Sequence, residues 1–101
     1  MRPLIVSRHP GAVQWLRETF PRLAEAEVLE QVTPAQVEGR VVVGNLPLYL
    51  AARCGEYYAI EFTGPPPRGS EYGPADMVAA GAHLARYIVQ PADLPGWLTQ
   101  S

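Results

Sequence analysis

Ser7-Arg8-His9-Pro10-Gly11 is the segment of this 101-residue chain best equipped for chemistry. Arg8 offers a planar fork of donors matched to a phosphate, and the adjacent His9 can donate a hydrogen bond or move a proton near neutral pH. Pro10 and Gly11 read as a helix start, whose free backbone N–H groups and positive dipole end attract an anion. A second segment, Gly44-Asn45-Leu46-Pro47, has the same setting of an apolar run turning into a helix.

The elements that must position these segments are short. Pro3 to Ser7 is an apolar run without alternation, as expected of a strand covered on both faces. Val13, Leu16 and Phe20 recur at helical spacing up to Pro21, which predicts a helix over 11–20. Residues 26–32 could continue as helix, but their β-branched residues and the need for a sheet neighbour favour a second strand. Thr33-Pro34 to Gly39 reads as a short helical turn with Thr33 as N-cap and Gly39 as terminator. Arg40 to Gly44 is the clearest strand, followed by an Ala/Leu-rich helix ending near Gly55, and Tyr57 to Phe62 is a further strand. A Pro/Gly-rich loop covers 63–73. Pro74-Ala75-Asp76 then opens a last helix, with Val78, Ala82, Ala85 and Ile88 on one face, and 91–101 is a tail in which Leu94 and Trp97 can pack back.

This alternation predicts one small Rossmann-like α/β domain spanning 1–101: a mostly parallel sheet of about four strands, with right-handed crossovers and helices on both faces. In such sheets ligands bind at the carboxyl ends of strands, where the strand order reverses. Strands 3–7 and 40–44 are the two best, so their ends should bring Ser7, Arg8 and His9 beside Asn45 and Leu46.

Each residue also has a purely architectural reading. Ser7 can cap the helix, Arg8 can be solvated, Pro10-Gly11 can be only a turn, and Asn45 can be a cap or a tolerant turn residue. His83 reads as a residue of the last helix, and Cys54, Trp15, Tyr57 and Tyr58 as packing residues.

Composition narrows the function classes. Eight basic against ten acidic residues give a formal charge of −2, so a broad nucleic-acid surface is not expected and any phosphate must be held locally. All the basic residues are arginine. The single Cys54 excludes an intrachain disulfide and a cysteine metal cluster. Two distant histidines and two aspartates make no recognisable metal-ligand set, and no cofactor motif occurs. Without a charged-then-apolar leader or an apolar run of about 20 residues, the expectation is a cytoplasmic protein that does not engage a membrane.

Val6-Ser7-Arg8-His9-Pro10-Gly11-Ala12 with Trp15, then Gly44-Asn45-Leu46-Pro47 before an Ala-rich helix, resembles the CRISPR-associated Csx-sixteen family of type III loci over about residues 4–90. The resemblance implies a CARF-like domain, a homodimer, and a ring nuclease that cleaves cyclic oligoadenylate, specifically cyclic tetra-adenylate, without metal and without DNA as partner. It also implies roles. Arg8 and the N–H groups near Gly11 would bind the scissile phosphate, His9 would assist proton transfer, and Ser7 and Asn45 would orient the ribose or phosphate.

Three rivals stand beside it. The protein could bind and sequester the cyclic nucleotide without cutting it, or be a structural dimer whose two turns are mere caps. Arg8-His9 after an N-terminal strand also shares two residues with the Arg-His-Gly motif of histidine phosphatases, but Pro10 stands where that motif has Gly.

Overall fold

β1, Leu4–Val6, is fully buried, which is why the sequence there shows no polar alternation. The computed structural model describes residues 2–69 and 71–100; Met1, Ser70 of the 63–73 loop and Ser101 of the tail lie outside the described residues. After β1 the chain forms α1, Pro10–Thr19, which begins on proline and ends where Phe20 and Pro21 break the helical pattern. A 3₁₀ turn at Pro21–Leu23 leads to β2, Glu27–Leu29. Arg17 ties this connection together by donating to the carbonyls of Ala24 and Ala26.

The remaining elements are α2 (Pro34–Val37), β3 (Val41–Gly44), α3 (Leu48–Ala51), β4 (Glu56–Phe62), α4 (Pro74–Ala79), β5 (Ala82–Tyr87) and α5 (Gly96–Thr99). Thr33 is the N-cap of α2, and the Gln36 side chain reaches back to accept the Thr33 N–H at 2.8 Å. Gly39 follows the short helix at φ +69°, a left-handed conformation that favours glycine.

The five strands form one sheet in the order β2-β1-β3-β4-β5. β1 pairs in parallel with β2 and with β3, and β3 with β4, while β5 runs antiparallel to β4. The chain steps from β1 outward to β2 and returns to the other side of β1 for β3. The order therefore reverses between β1 and β3, the relationship that defines a carboxyl-edge site in open α/β sheets.

Both sheet faces are covered. On one, Ile5, Val43 and Ile60 pack against Trp15 and Leu16 of α1 and Met77 of α4. On the other, Leu4, Val6 and Val42 pack against Val37 of α2 and Leu50 of α3. Each fully buried aliphatic side chain, Leu4, Ile5 and Leu16 among them, contributes about 1.5–3 kcal/mol relative to exposure. This double covering holds the three-residue β1 in place and fixes where its C-terminal end emerges.

Several expectations are corrected. The sheet has five strands rather than about four, and the stretch expected as a helix over 74–88 is α4 followed by β5. Gly81 makes the break: its φ of +74° cannot continue a helix, and a β-carbon there would lie 1.9 Å from the Thr63 hydroxyl. Ala82 to Tyr87 then pair with Phe62 to Tyr57, satisfying the backbone of a seven-residue strand that would otherwise be an open edge. Strand alternation puts Ala82 and Ala85 on opposite faces, and Val78 and Ile88 are exposed. The helix expected up to Gly55 is the single turn α3, because Ala52 to Gly55 bend back to receive β4. Leu94 and Trp97 do not pack back; they are 68% and 77% exposed. Cys54, expected in the core, is only partly buried.

Candidate functional site

The register Leu4↔Val42, Ile5↔Val43, Val6↔Gly44 makes Ser7 and Asn45 the next residues of two adjacent strands. Gly44 is what allows the strands to end so close together. Its φ is +147°, and a β-carbon would lie 2.2 Å from the carbonyl oxygen of Val6. On the other side of β1, the Ser7 N–H donates to the Leu29 carbonyl at 3.1 Å, so Glu30 and Gln31 leave β2 at the same edge.

These three strand ends open into one cleft of about 640 Å³. Its polar rim is Ser7, Arg8, His9, Glu30, Gln31 and Asn45. Its apolar floor and wall include Ala12, Ile60, Phe62 and Met77, with Pro66, Pro67 and Tyr72 contributed by the 63–73 loop.

Ser7 does not cap α1. Its hydroxyl accepts the His9 N–H at 3.1 Å and shapes the turn. His9 is itself the N-cap, with an extended backbone and no side-chain capping bond, and its N–H is already engaged by Ser7. The first intrahelical bond is Val13 N–H to the His9 carbonyl at 3.1 Å, so the N–H groups of Gly11 and Ala12 have no helical acceptor. Ala12 lines the cleft. The His9 ring lies 5.5 Å from the Tyr72 ring at a 34° tilt. Arg8 is exposed at the rim and makes no ion pair among the described residues, whereas Arg40, Arg53 and Arg86 are paired with Glu27, Glu38 and Glu56.

Asn45 also has an architectural role, since its Oδ1 accepts the Ile60 N–H at 3.1 Å and so bridges the turn after β3 to β4. Its amide NH₂ remains available as a donor. The Leu46 N–H donates to the Tyr57 hydroxyl at 2.9 Å, and burial pushes the Tyr57 phenol up despite that bond. Leu46 and Pro47 line the cleft, with Pro47 the N-cap of the one-turn α3.

Of the residues singled out in the sequence, Ser7, Arg8, His9, Asn45, Leu46 and Pro47 line this one cleft. Pro10, Gly11 and Gly44 do not; Gly11 and Gly44 act behind it, where backbone segments pass too close for a side chain. His83 lies on β5, its Nδ1 3.0 Å from the Gly81 carbonyl and its Nε2 3.8 Å from Glu61. Trp15 is buried, with Phe20 edge-on to it at 5.8 Å, and the Tyr58 hydroxyl donates to Glu56 at 2.7 Å. Cys54 lies outside the lining, and burial pushes its thiol up, away from thiolate chemistry.

Glu30, Gln31, Tyr72 and the Ile60–Phe62–Met77 wall are among the lining residues that sequence reading missed, as are Val32, Leu50, Pro66 and Pro67. A signal for the first two existed: every parallel strand delivers the residues just past its end to the same edge. Among the described residues, no group of three or more His, Cys, Asp or Glu could hold a metal ion. No helix among them is long and apolar enough to cross a membrane.

Fold and cleft together define a small α/β domain with a mostly parallel five-stranded sheet and a polar cleft at its topological switch point. Residues 4–90 match the family described as "Putative CRISPR-associated protein (Cas_VVA1548)", and the chain belongs to that CRISPR-associated family. No curated protein and no solved structure matches the chain.

Proposed function

We propose that this protein is a CARF-like ring nuclease, a homodimer that binds cyclic oligoadenylate, specifically cyclic tetra-adenylate, and opens the ring to switch off type III CRISPR signalling. The observation that carries the reading is the convergence of Ser7-Arg8-His9 and Asn45-Leu46-Pro47 on one cleft, with the Arg8 guanidinium outside every ion pair of the described residues. The CRISPR-associated family is consistent with a nucleotide second messenger as ligand. A two-fold ligand also suits a two-fold dimer in which each subunit presents the same turn.

The chemistry asks for little beyond positioning and charge stabilisation. A ribose 2′-oxygen held in line with the adjacent phosphorus attacks it, the bond to the 5′-oxygen breaks, and a 2′,3′-cyclic phosphate is left. Arg8, with the unpartnered Ala12 N–H in the first turn of α1, holds the phosphate and its developing charge. His9 supplies a proton to the leaving oxygen, and the Asn45 NH₂ with Ser7 orients the ribose or phosphate. No metal or other cofactor is needed for this transfer.

One observation favours sequestration without cleavage: no hydrogen bond from the His9 imidazole to a described residue fixes its tautomer. Incubation with cyclic tetra-adenylate in EDTA, followed by chromatography, separates the two. Linear products are expected; a ring that stays intact while bound at enzyme excess overturns the nuclease reading.

A further inference from the structure

The transfer proposed above moves two protons, one off the 2′-hydroxyl and one onto the 5′-oxygen, and His9 accounts for only the second. The cleft contains four titratable side chains: Arg8 and His9 from the β1–α1 turn, Glu30 from the end of β2, and Tyr72 from the 63–73 loop. The turn after β3 brings none. Arginine stays protonated and accepts nothing. Burial pushes the Tyr72 phenol up, so it too keeps its proton. Glu30 is the remaining proton acceptor.

Its placement follows from the sheet. The parallel pair Val6↔Leu29 and the bond from Ser7 N–H to the Leu29 carbonyl make Glu30 the residue flanking Ser7 at the carboxyl edge. Glu30 is exposed in the cleft, and neither an ion pair nor a side-chain hydrogen bond engages its carboxylate among the described residues. Glu27, at the start of β2 and outside the cleft, is by contrast paired with Arg40 at 3.3 Å.

We propose that the Glu30 carboxylate is the general base of ring opening, an inference that rests on the nuclease reading above. Glu30 takes the proton of the 2′-hydroxyl as its oxygen bonds to phosphorus. The phosphorus–5′-oxygen bond breaks with its electron pair going to that oxygen, which takes a proton from the His9 imidazolium. Glu30 ends protonated and His9 neutral, and exchange with water resets both. A carboxylate and an imidazole are thereby assigned opposite halves of one acid–base cycle.

The test uses the full chain and cyclic tetra-adenylate in EDTA under single-turnover conditions. Glu30→Gln should lower the cleavage rate about 100-fold or more while binding the ring as tightly as the parent or more so, since a negative charge beside phosphates is removed. A ring with sulfur at the bridging 5′ position, whose thiolate leaves without a proton, should restore cleavage by His9→Ala and leave Glu30→Gln slow. Cleavage by Glu30→Gln within about threefold of the parent, or its rescue by the sulfur ring, removes Glu30 as the base and leaves the nuclease reading standing. A parent that binds the ring and never opens it overturns both.

Discussion

A β-carbon on Gly11 would lie 1.9 Å from the carbonyl oxygen of Tyr72, so the backbone at the end of the 63–73 loop rests directly on the first turn of α1. That contact seats the loop residues Pro66, Pro67 and Tyr72 over the cleft. Gly11→Ala should lift the loop, speed amide exchange at Tyr72 and Gly73, and weaken ring binding about tenfold, a loss near 1.4 kcal/mol. Unchanged exchange and affinity would show that the loop tolerates the methyl group.

Arg8→Ala removes a charge-assisted contact worth about 1.5–3 kcal/mol, which predicts roughly 10- to 100-fold weaker binding of cyclic tetra-adenylate. Arg8→Lys should recover only part of it, because an ammonium lacks the planar fork. Fluorescence titration reads the affinity, and the unfolding midpoint without ligand should not move. Equal binding by parent and Arg8→Ala would place the phosphate elsewhere.

Asn45→Ala leaves the Ile60 N–H without its acceptor, at a cost of about 1–3 kcal/mol. Asn45→Asp keeps the acceptor oxygen and should retain most of the stability. Urea titration distinguishes the two, and equal loss in both would argue that the bond contributes nothing.

Gly44→Ala combines a positive φ with a collision against the Val6 carbonyl. Backbone strain alone costs about 1–3 kcal/mol, and the β1–β3 spacing must widen besides. A markedly lower urea midpoint is expected, together with loss of ring binding; a midpoint like the parent's would contradict the geometry.

Alkaline pH should destabilise the fold. Burial raises both the Cys54 thiol and the Tyr57 phenol, so each keeps its proton longer folded than unfolded. The unfolded chain then binds fewer protons as pH climbs past the free thiol range near about 8.5 and the free phenol range near about 10, and stability falls. Urea midpoints should decline over that interval. Cys54→Ala should flatten the first part of the decline, and a slope identical in the variant would exclude the thiol.

Much of the frame was legible because local signals agreed. The unalternating runs Pro3 to Ser7 and Arg40 to Gly44 announce strands buried on both faces, and each ends at residues that break regular structure. Their adjacency, and hence the pairing of the two turns, followed from parallel-sheet topology. The stretch 74–88 misled because its alanines repeat at helical spacing while the deciding contacts are distant: Gly81 against Thr63, and β5 against β4. Glu30 escaped notice because the strand expected over 26–32 contains it, whereas β2 ends at Leu29 and leaves Glu30 just past the carboxyl end.

β1 has three residues, and the cleft lining begins at the last of them, Val6. With no spacer between the hydrophobic centre and the ligand-facing turn, occupancy of the cleft and unfolding of the domain must compete for the same short piece of backbone. A ligand seated across Ser7 and Asn45 would clasp β1 to β3, and at about 100 times its dissociation constant it would add about 2.7 kcal/mol to the unfolding free energy. The melting curve of the intact chain is therefore a direct screen for what it binds, cyclic nucleotides first among the compounds to try.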